Sequence, residues 1–304
     1  MLHRILILLA VALSLTGQRQ KAAEKLSRPP DFANVSYGPH ERNVLDLWQA
    51  ESARPTPLVI FIHGGGFRAG DKSGLNPALL DNLLGAGISV AAINYRLTQT
   101  APYPAPMQDG ARAVQFLRYK AKEWNLDPAA FGATGGSAGA AMSLWIGFRD
   151  DMAEPDSPDP VRRQSTRLQA MAVAGGQSTM DPREIRRLIG DAAARHPALE
   201  PLYGLSGEDL KTEKAYRLFR DASPITYLTR DDPPVMLLYG EPDVPLPADA
   251  QPGQGIHHPR FGIFLKEHMD KLGIECVLHY PGDGKGEISA ALTFEFLRSH
   301  LSGK

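Results

Sequence analysis

The sequence predicts an α/β protein with a mostly parallel central sheet, helices on both faces and a helical cap insertion. Three observations carry this. Short apolar, β-branched runs alternate with stretches of helical periodicity, the pattern of strands buried on both faces and joined by crossover helices. The 304 residues are 43% apolar and 22% charged, an ordinary globular mix that suits one α/β domain. Between two of the apolar runs lies a charged helical stretch, Pro182 to about Lys214, that contains no strand.

Taken in order, Met1 to Arg4 is a short basic start, and Ile5 to Leu15 is an uninterrupted apolar run. Eleven residues are too few to span a bilayer and suit the core of a signal peptide. Residues 1–17 are therefore expected to be a leader, and the mature chain to be periplasmic or secreted. No cysteine follows the run, so no lipid anchor is expected, and no stable membrane anchor remains after cleavage. The folded domain is expected over residues 30–304, with the cap at 178–230.

Leu58 to Ile62 and Ile88 to Ile93 are strand-like runs. Met107 to Trp124 is helical through Ala111, Val114, Phe116, Leu117 and Ala121. Phe131 to Thr134 is a short strand, and Ala138 to Phe148 an apolar helix. Phe148 to Gln164, rich in Asp and Pro, is a loop. Leu168 to Ala174, Val235 to Tyr239 and Cys276 to Tyr280 are further strands. Arg260 to Leu272 and Ile288 to Leu301 are helices.

Composition excludes several functions. Lys and Arg total 33 against 34 acidic residues, so no basic field exists to hold nucleic acid. The single cysteine, Cys276, permits neither an intrachain disulfide nor a cysteine-based zinc site. Asp150, Asp151, Asp156 and Asp159 are interrupted by prolines and lack the spacing of a calcium loop. No cofactor is expected.

Two motifs carry chemistry. His63-Gly64-Gly65-Gly66-Phe67 follows a strand directly, and three glycines let backbone N–H groups turn toward a ligand. The Lys-Ser pair at 72–73 lies too far along for a phosphate loop, which leaves a developing oxyanion as the candidate ligand. Gly135-Gly136-Ser137-Ala138-Gly139 fits Gly-x-Ser-x-Gly between a short strand and an apolar helix. Such a turn exposes the Ser137 hydroxyl and aims the Ala138 N–H at the same point, with the helix N-terminus behind it.

With these motifs the chain resembles the α/β-hydrolase fold. The specific resemblance is to esterases related to hormone-sensitive lipase and to bacterial acetylxylan and feruloyl esterases. Further matching segments are NYRL at Asn94 to Leu97, YPAPMQD at Tyr103 to Asp109, SPITYL at Ser223 to Leu228 and DPPVMLLYG at Asp232 to Gly240. The resemblance implies Ser137 as nucleophile and the Gly65, Gly66 and Ala138 N–H groups as oxyanion hole. It implies Asp243, three residues after Gly240, as the acid, to the exclusion of Glu241.

The base departs from the pattern. The family's last turn carries a His, and here Pro281-Gly282-Asp283-Gly284-Lys285-Gly286 puts Lys285 in that slot. An unperturbed lysine is an ammonium at neutral pH with no lone pair for a serine proton, and a nearby Asp243 would hold it so. An ion pair of Lys285 with Asp243 is the expected outcome. His257 and His258, in an unusual Pro/Gly/Ala-rich loop from Pro245 to Arg260, are the candidate substitutes, with no ground in the sequence to choose between them. Two functions follow. One is a serine carboxylesterase for short acyl or acetyl esters, with a small-molecule or carbohydrate ester as substrate and a non-standard base. The other is a catalytically impaired binding protein on the same fold. Oligomeric state is left open.

Overall fold

The computed structural model describes residues 26–302. The expected leader, residues 1–17, lies outside them.

The chain begins with two strands, β1 (Phe32–Ser36) and β2 (Val44–Trp48). Neither was foreseen. In β1 most side chains are exposed. In β2 the apolar run is broken by Asp46, which is nonetheless buried. Its charge is met by Lys72 Nζ at 2.6 Å and by the Asn34 N–H at 2.7 Å. Burial of a carboxylate is tolerated when it is paired and hydrogen-bonded, and such pairing leaves no trace in a hydropathy pattern.

Then follow β3 (Thr56–Ile62), α1 (Pro77–Gly85), β4 (Ser89–Ile93), α2 (Ala105–Tyr119), β5 (Leu126–Gly136), α3 (Ala138–Phe148) and β6 (Ala170–Ala174). The expected helix at 107–124 thus ends five residues early, and the chain between it and β5 is turn. The stretch between β6 and β7 holds four short helices, α4 (Pro182–Leu188), α5 (Asp191–Ala194), α6 (Leu199–Tyr203) and α7 (Glu213–Ala222). The chain closes with β7 (Val235–Leu238), α8 (Arg260–Leu272), β8 (Cys276–His279) and α9 (Ala290–Leu301).

The sheet order is β1-β2-β4-β3-β5-β6-β7-β8. β2 runs antiparallel to both neighbours, and every pairing from β4 to β8 is parallel. β3 alternates its side chains between two cores. Leu58, Ile60 and Ile62 join α2, α3 and α8 on one face, while Val59 and Phe61 join α1 and α9 on the other. Burial on both faces is why β3 and β4 are continuous apolar runs. Cys276 is buried at the start of β8 and packs in the core. No described helix is long and apolar enough to cross a membrane.

The parallel strands β3, β5, β6 and β7 all end on the same edge. That edge is where open α/β sheets form their sites, and it carries the glycine turn, Ser137, Gly175 and Gly240 in successive loops.

Candidate active site

Ser137 sits between β5 and α3 with φ 53° and ψ −118°. A non-glycine residue held there is strained by about 1–3 kcal/mol, and the surroundings must enforce it. They do so on two sides. The Ser137 N–H donates to Ala174 O at 2.9 Å. Behind it, Gly139 lies so close to β3 that a Cβ would fall 2.0 Å from Ile62 O. The small residues of the motif are therefore a packing requirement.

The candidate oxyanion donors lie in the turns on either side of Ser137. Gly65 and Gly66 have φ 106° and 60°, turning the chain back after β3. Their N–H groups, and that of Ala138 at the first turn of α3, have no hydrogen-bond acceptor among the described residues. The turn is held from beneath. His63 Nδ1 donates to Gly64 O at 2.8 Å, its ring stacks on Tyr95 at 4.2 Å, and Tyr95 Oη donates to His63 O at 2.8 Å. Arg42 binds three atoms of the same unit: Tyr95 O at 2.8 Å, Gly70 O at 3.0 Å and His63 Nε2 at 3.3 Å. Burial, seconded by Arg42, lowers the His63 pKa and keeps the ring neutral. Arg42 was missed in the sequence. It lies in the loop between β1 and β2, and no local motif marks it.

The two candidate histidines part company. His257 Nε2 lies 2.9 Å from Ser137 Oγ. Burial lowers the His257 pKa, and Glu241 opposes the shift. A neutral imidazole at that distance can accept the serine proton. His258 is 4% exposed and points the other way. Its Nε2 donates to Val244 O at 2.9 Å and its Nδ1 accepts the Arg260 N–H at 3.2 Å. Both of its nitrogens are engaged in holding the loop onto α8.

Asp243 pairs with Arg260 at 2.5 Å and makes no hydrogen bond to His257 among the described residues. Glu241 lines the same cavity as Ser137 and His257. The expected ion pair between Lys285 and Asp243 does not form. Lys285 Nζ donates to Leu278 O at 2.8 Å, and its N–H to Asp283 at 2.9 Å. The physical reason is competition: Arg260 opens α8 beside Asp243 and takes its carboxylate, while Lys285 finds a free carbonyl at the edge of β8.

Two cavities meet at Ser137. One is open and holds about 880 Å³, with His257, Glu241, Tyr239, Phe61, Ser289 and Thr293 on its walls. The other holds about 20 Å³. It is bounded by Gly66, Ala138, Met180, Ile185, Leu199 and Leu202. Met180, Ile185, Leu199 and Leu202 come from the helical stretch between β6 and β7, and Gln177 and Ile256 add to the wall, so that helical stretch lines the small cavity and not the large one.

Comparison with known proteins gives a family and a fold. Residues 45–251 match the model of the BD-FAE family. The chain is 29% identical over 230 residues to the protein named "Probable carboxylic ester hydrolase LipM" of Mycobacterium tuberculosis, covering 73% of this chain and 51% of that one. The chain thus spans about half the length of the curated relatives it matches. Among solved structures it is similar in fold to a truncated carbohydrate esterase from gut microbiota (TM-score 0.65, 20% identity, 90% of this chain and 96% of that one). It is likewise similar in fold to Thermogutta terrifontis esterase 2 phosphonylated by sarin (TM-score 0.65, 19% identity, 91% and 98%).

Proposed function

From its membership of the BD-FAE family, which the match over residues 45–251 establishes, we propose that this chain is a serine carboxylesterase acting on short acyl esters of bulky alcohols. Ser137 Oγ attacks the ester carbonyl while His257 Nε2 takes its proton. The carbonyl oxygen gains the negative charge and lies against the Gly65, Gly66 and Ala138 N–H groups. Collapse expels the alkoxide, which leaves as the alcohol with the proton from His257. Water, deprotonated by the same imidazole, then releases the acid from Ser137 and restores the hydroxyl.

The roles of the two cavities follow from this proton path. The leaving oxygen must sit beside the base, so the 880 Å³ cavity that His257 lines takes the alcohol. The 20 Å³ cavity is lined by two of the oxyanion residues, Gly66 and Ala138, without His257, and takes the acyl group. That volume holds little more than one water-sized sphere, which suits the methyl of an acetyl group. A large open alcohol side suits a carbohydrate ester, and the gut protein of similar fold is named a carbohydrate esterase. Phosphonylation of the Thermogutta terrifontis relative supports serine chemistry on this fold.

Of the two carboxylates after β7, Glu241 is the better candidate to stabilise the imidazolium, because it shares the cavity and Asp243 is held by Arg260. The observation that carries the proposal is the 2.9 Å separation of His257 Nε2 and Ser137 Oγ. Labelling by a fluorophosphonate, lost in S137A and strongly slowed in H257A, tests it. A label that ignores Ser137 in the intact protein refutes it. Lys285 in the family's base slot favours the second reading, an impaired binding protein, and the same labelling decides between them. Residues 1–17 support export to the periplasm or beyond.

A further inference from the structure

The few residues after β6 touch both halves of the proton-transfer pair. Ala174 O accepts the Ser137 N–H at 2.9 Å and so fixes the nucleophile's turn. The next residue, Gly175, has φ +58°, and the space a side chain would fill there is occupied by the His257 ring. A Cβ at Gly175 would lie 3.1 Å from His257 Cδ2 and 3.3 Å from Cγ. Two residues further, Gln177 is 4% exposed. Its side-chain amide donates to Gly175 O at 2.9 Å and to Ile256 O at 2.7 Å. Ile256 is the residue before His257. Ser178 Oγ donates to Phe261 O at 2.8 Å, binding the far end of the same segment where α8 begins.

Both donor hydrogens of the Gln177 amide are thus used to join the backbone that supports the ring to the backbone that bears it. We propose that Gln177 is the positioning residue of the base: it holds the His257 loop in register with Ser137, the task that a carboxylate on the imidazole performs in an ordinary triad. The proposal rests on the reading of His257 as base. Two observations independent of that reading support the clamp. No carboxylate is hydrogen-bonded to His257 among the described residues, and the loop that carries it, from Gly240 to Pro259, contains neither helix nor strand. A loop without its own hydrogen-bond ladder keeps a side chain in place only through bonds to something rigid, and β6 lies inside the sheet between β5 and β7.

The consequence is kinetic. A displacement of about 1 Å between nucleophile and base costs on the order of 10²-fold in rate. Gln177 meets neither Ser137 nor His257 through a hydrogen bond, but it also lines the small cavity beside Ser137, so an effect carried by the base is told from one on that cavity by its disappearance when His257 is absent.

The test is a double-mutant cycle on the full chain, with p-nitrophenyl acetate turnover and thermal melting measured for Q177L, H257A and the pair. The expected result is a fall in kcat of about 10–100-fold for Q177L with KM within about twofold, and no further loss when Q177L is added to H257A. A residue of purely structural importance would lower the melting temperature and leave that split unmoved. G175A puts a methyl group against the same ring and should show the same split, which keeps the test available if Q177L does not fold. If Q177L costs the same factor with and without His257, or if both Q177L and G175A keep the parent kcat, the proposal is overturned. If H257A itself retains full turnover, the assignment of the base fails and the positioning role with it. If H257A loses turnover while Q177L and G175A do not, the positioning role alone fails.

Discussion

His257 and His258 are neighbours of one type in one loop, and the structure predicts that alanine at each fails in opposite ways. His257 is half-buried and its one side-chain hydrogen bond among the described residues is to Ser137 Oγ. Removing it takes away the base. General-base assistance is worth about 10²–10⁴-fold, and loss of a triad histidine costs up to about 10⁶ when nucleophile and base act as a unit. H257A should therefore lose at least about 10⁴ in kcat, roughly 5.5 kcal/mol of transition-state stabilisation. Its folding stability should change by less than about 1 kcal/mol. His258 carries two bonds, to Val244 O and from the Arg260 N–H, and is buried. Each is worth about 0.5–1.5 kcal/mol, and the vacated space adds to the loss, for a total near 3 kcal/mol. In a domain of this size that lowers the melting temperature by roughly 5–10 °C. Turnover of H258A well below its melting point should stay within about tenfold of the parent. The assay is p-nitrophenyl acetate hydrolysis and thermal melting on the same preparations. An H257A protein with more than about a tenth of parent turnover refutes the assignment, as does an H258A protein that melts normally and is inactive.

Three further outcomes follow from the same geometry. Burial holds the His257 pKa below the ordinary 6.5, and the base works only when neutral. The acidic limb of kcat/KM should therefore have its midpoint below pH 6.5, with activity full above it and lost below. E241Q, which removes the charge opposing that shift, should move the limb lower still, and a limb that stays put would show that the carboxylate is not felt. With about 20 Å³ for the acyl group, acetyl esters should exceed butyryl esters in kcat/KM by at least about 10²-fold, since each misfit methylene is worth about 1–3 kcal/mol. L199A should narrow that ratio tenfold or more; an unchanged ratio would mean that the acyl chain lies elsewhere. Finally, K285H should leave kcat within about twofold, because His257 already occupies the proton-accepting position at Ser137 Oγ. A gain above tenfold would show that the natural protein works without an effective base.

Much of the fold was legible because its signals are local. Buried parallel strands are apolar on both faces, so β3, β4, β6, β7 and β8 stand out as runs, and α3 is apolar throughout because it is buried throughout. The first two strands were not legible. β1 is largely exposed, and β2 hides a buried Asp46 whose partner, Lys72, comes from beyond the next strand. The insertion between β6 and β7 was legible as helical and charged. That it walls the small cavity beside Ser137 was not, since Met180, Ile185, Leu199 and Leu202 reach the cavity from separate helices and turns.

The proposed catalytic machinery divides along the same line. Nucleophile and oxyanion donors lie in two contiguous stretches, and their geometry comes from backbone torsions set within a few residues: small residues permit the tight turns, and a strand and helix flank the serine. Those candidates could be named from the two motifs and from the family resemblance the motifs carry. The base could be narrowed to two adjacent histidines and no further. Which one turns inward depends on contacts across the fold: Gly175 leaves room for one ring, Gln177 ties down the backbone before it, and the Val244 carbonyl takes the other. His257 is 120 residues from Ser137. Over that separation nothing in the local sequence restrains their distance, and only the packing of the loop against the end of β6 sets it.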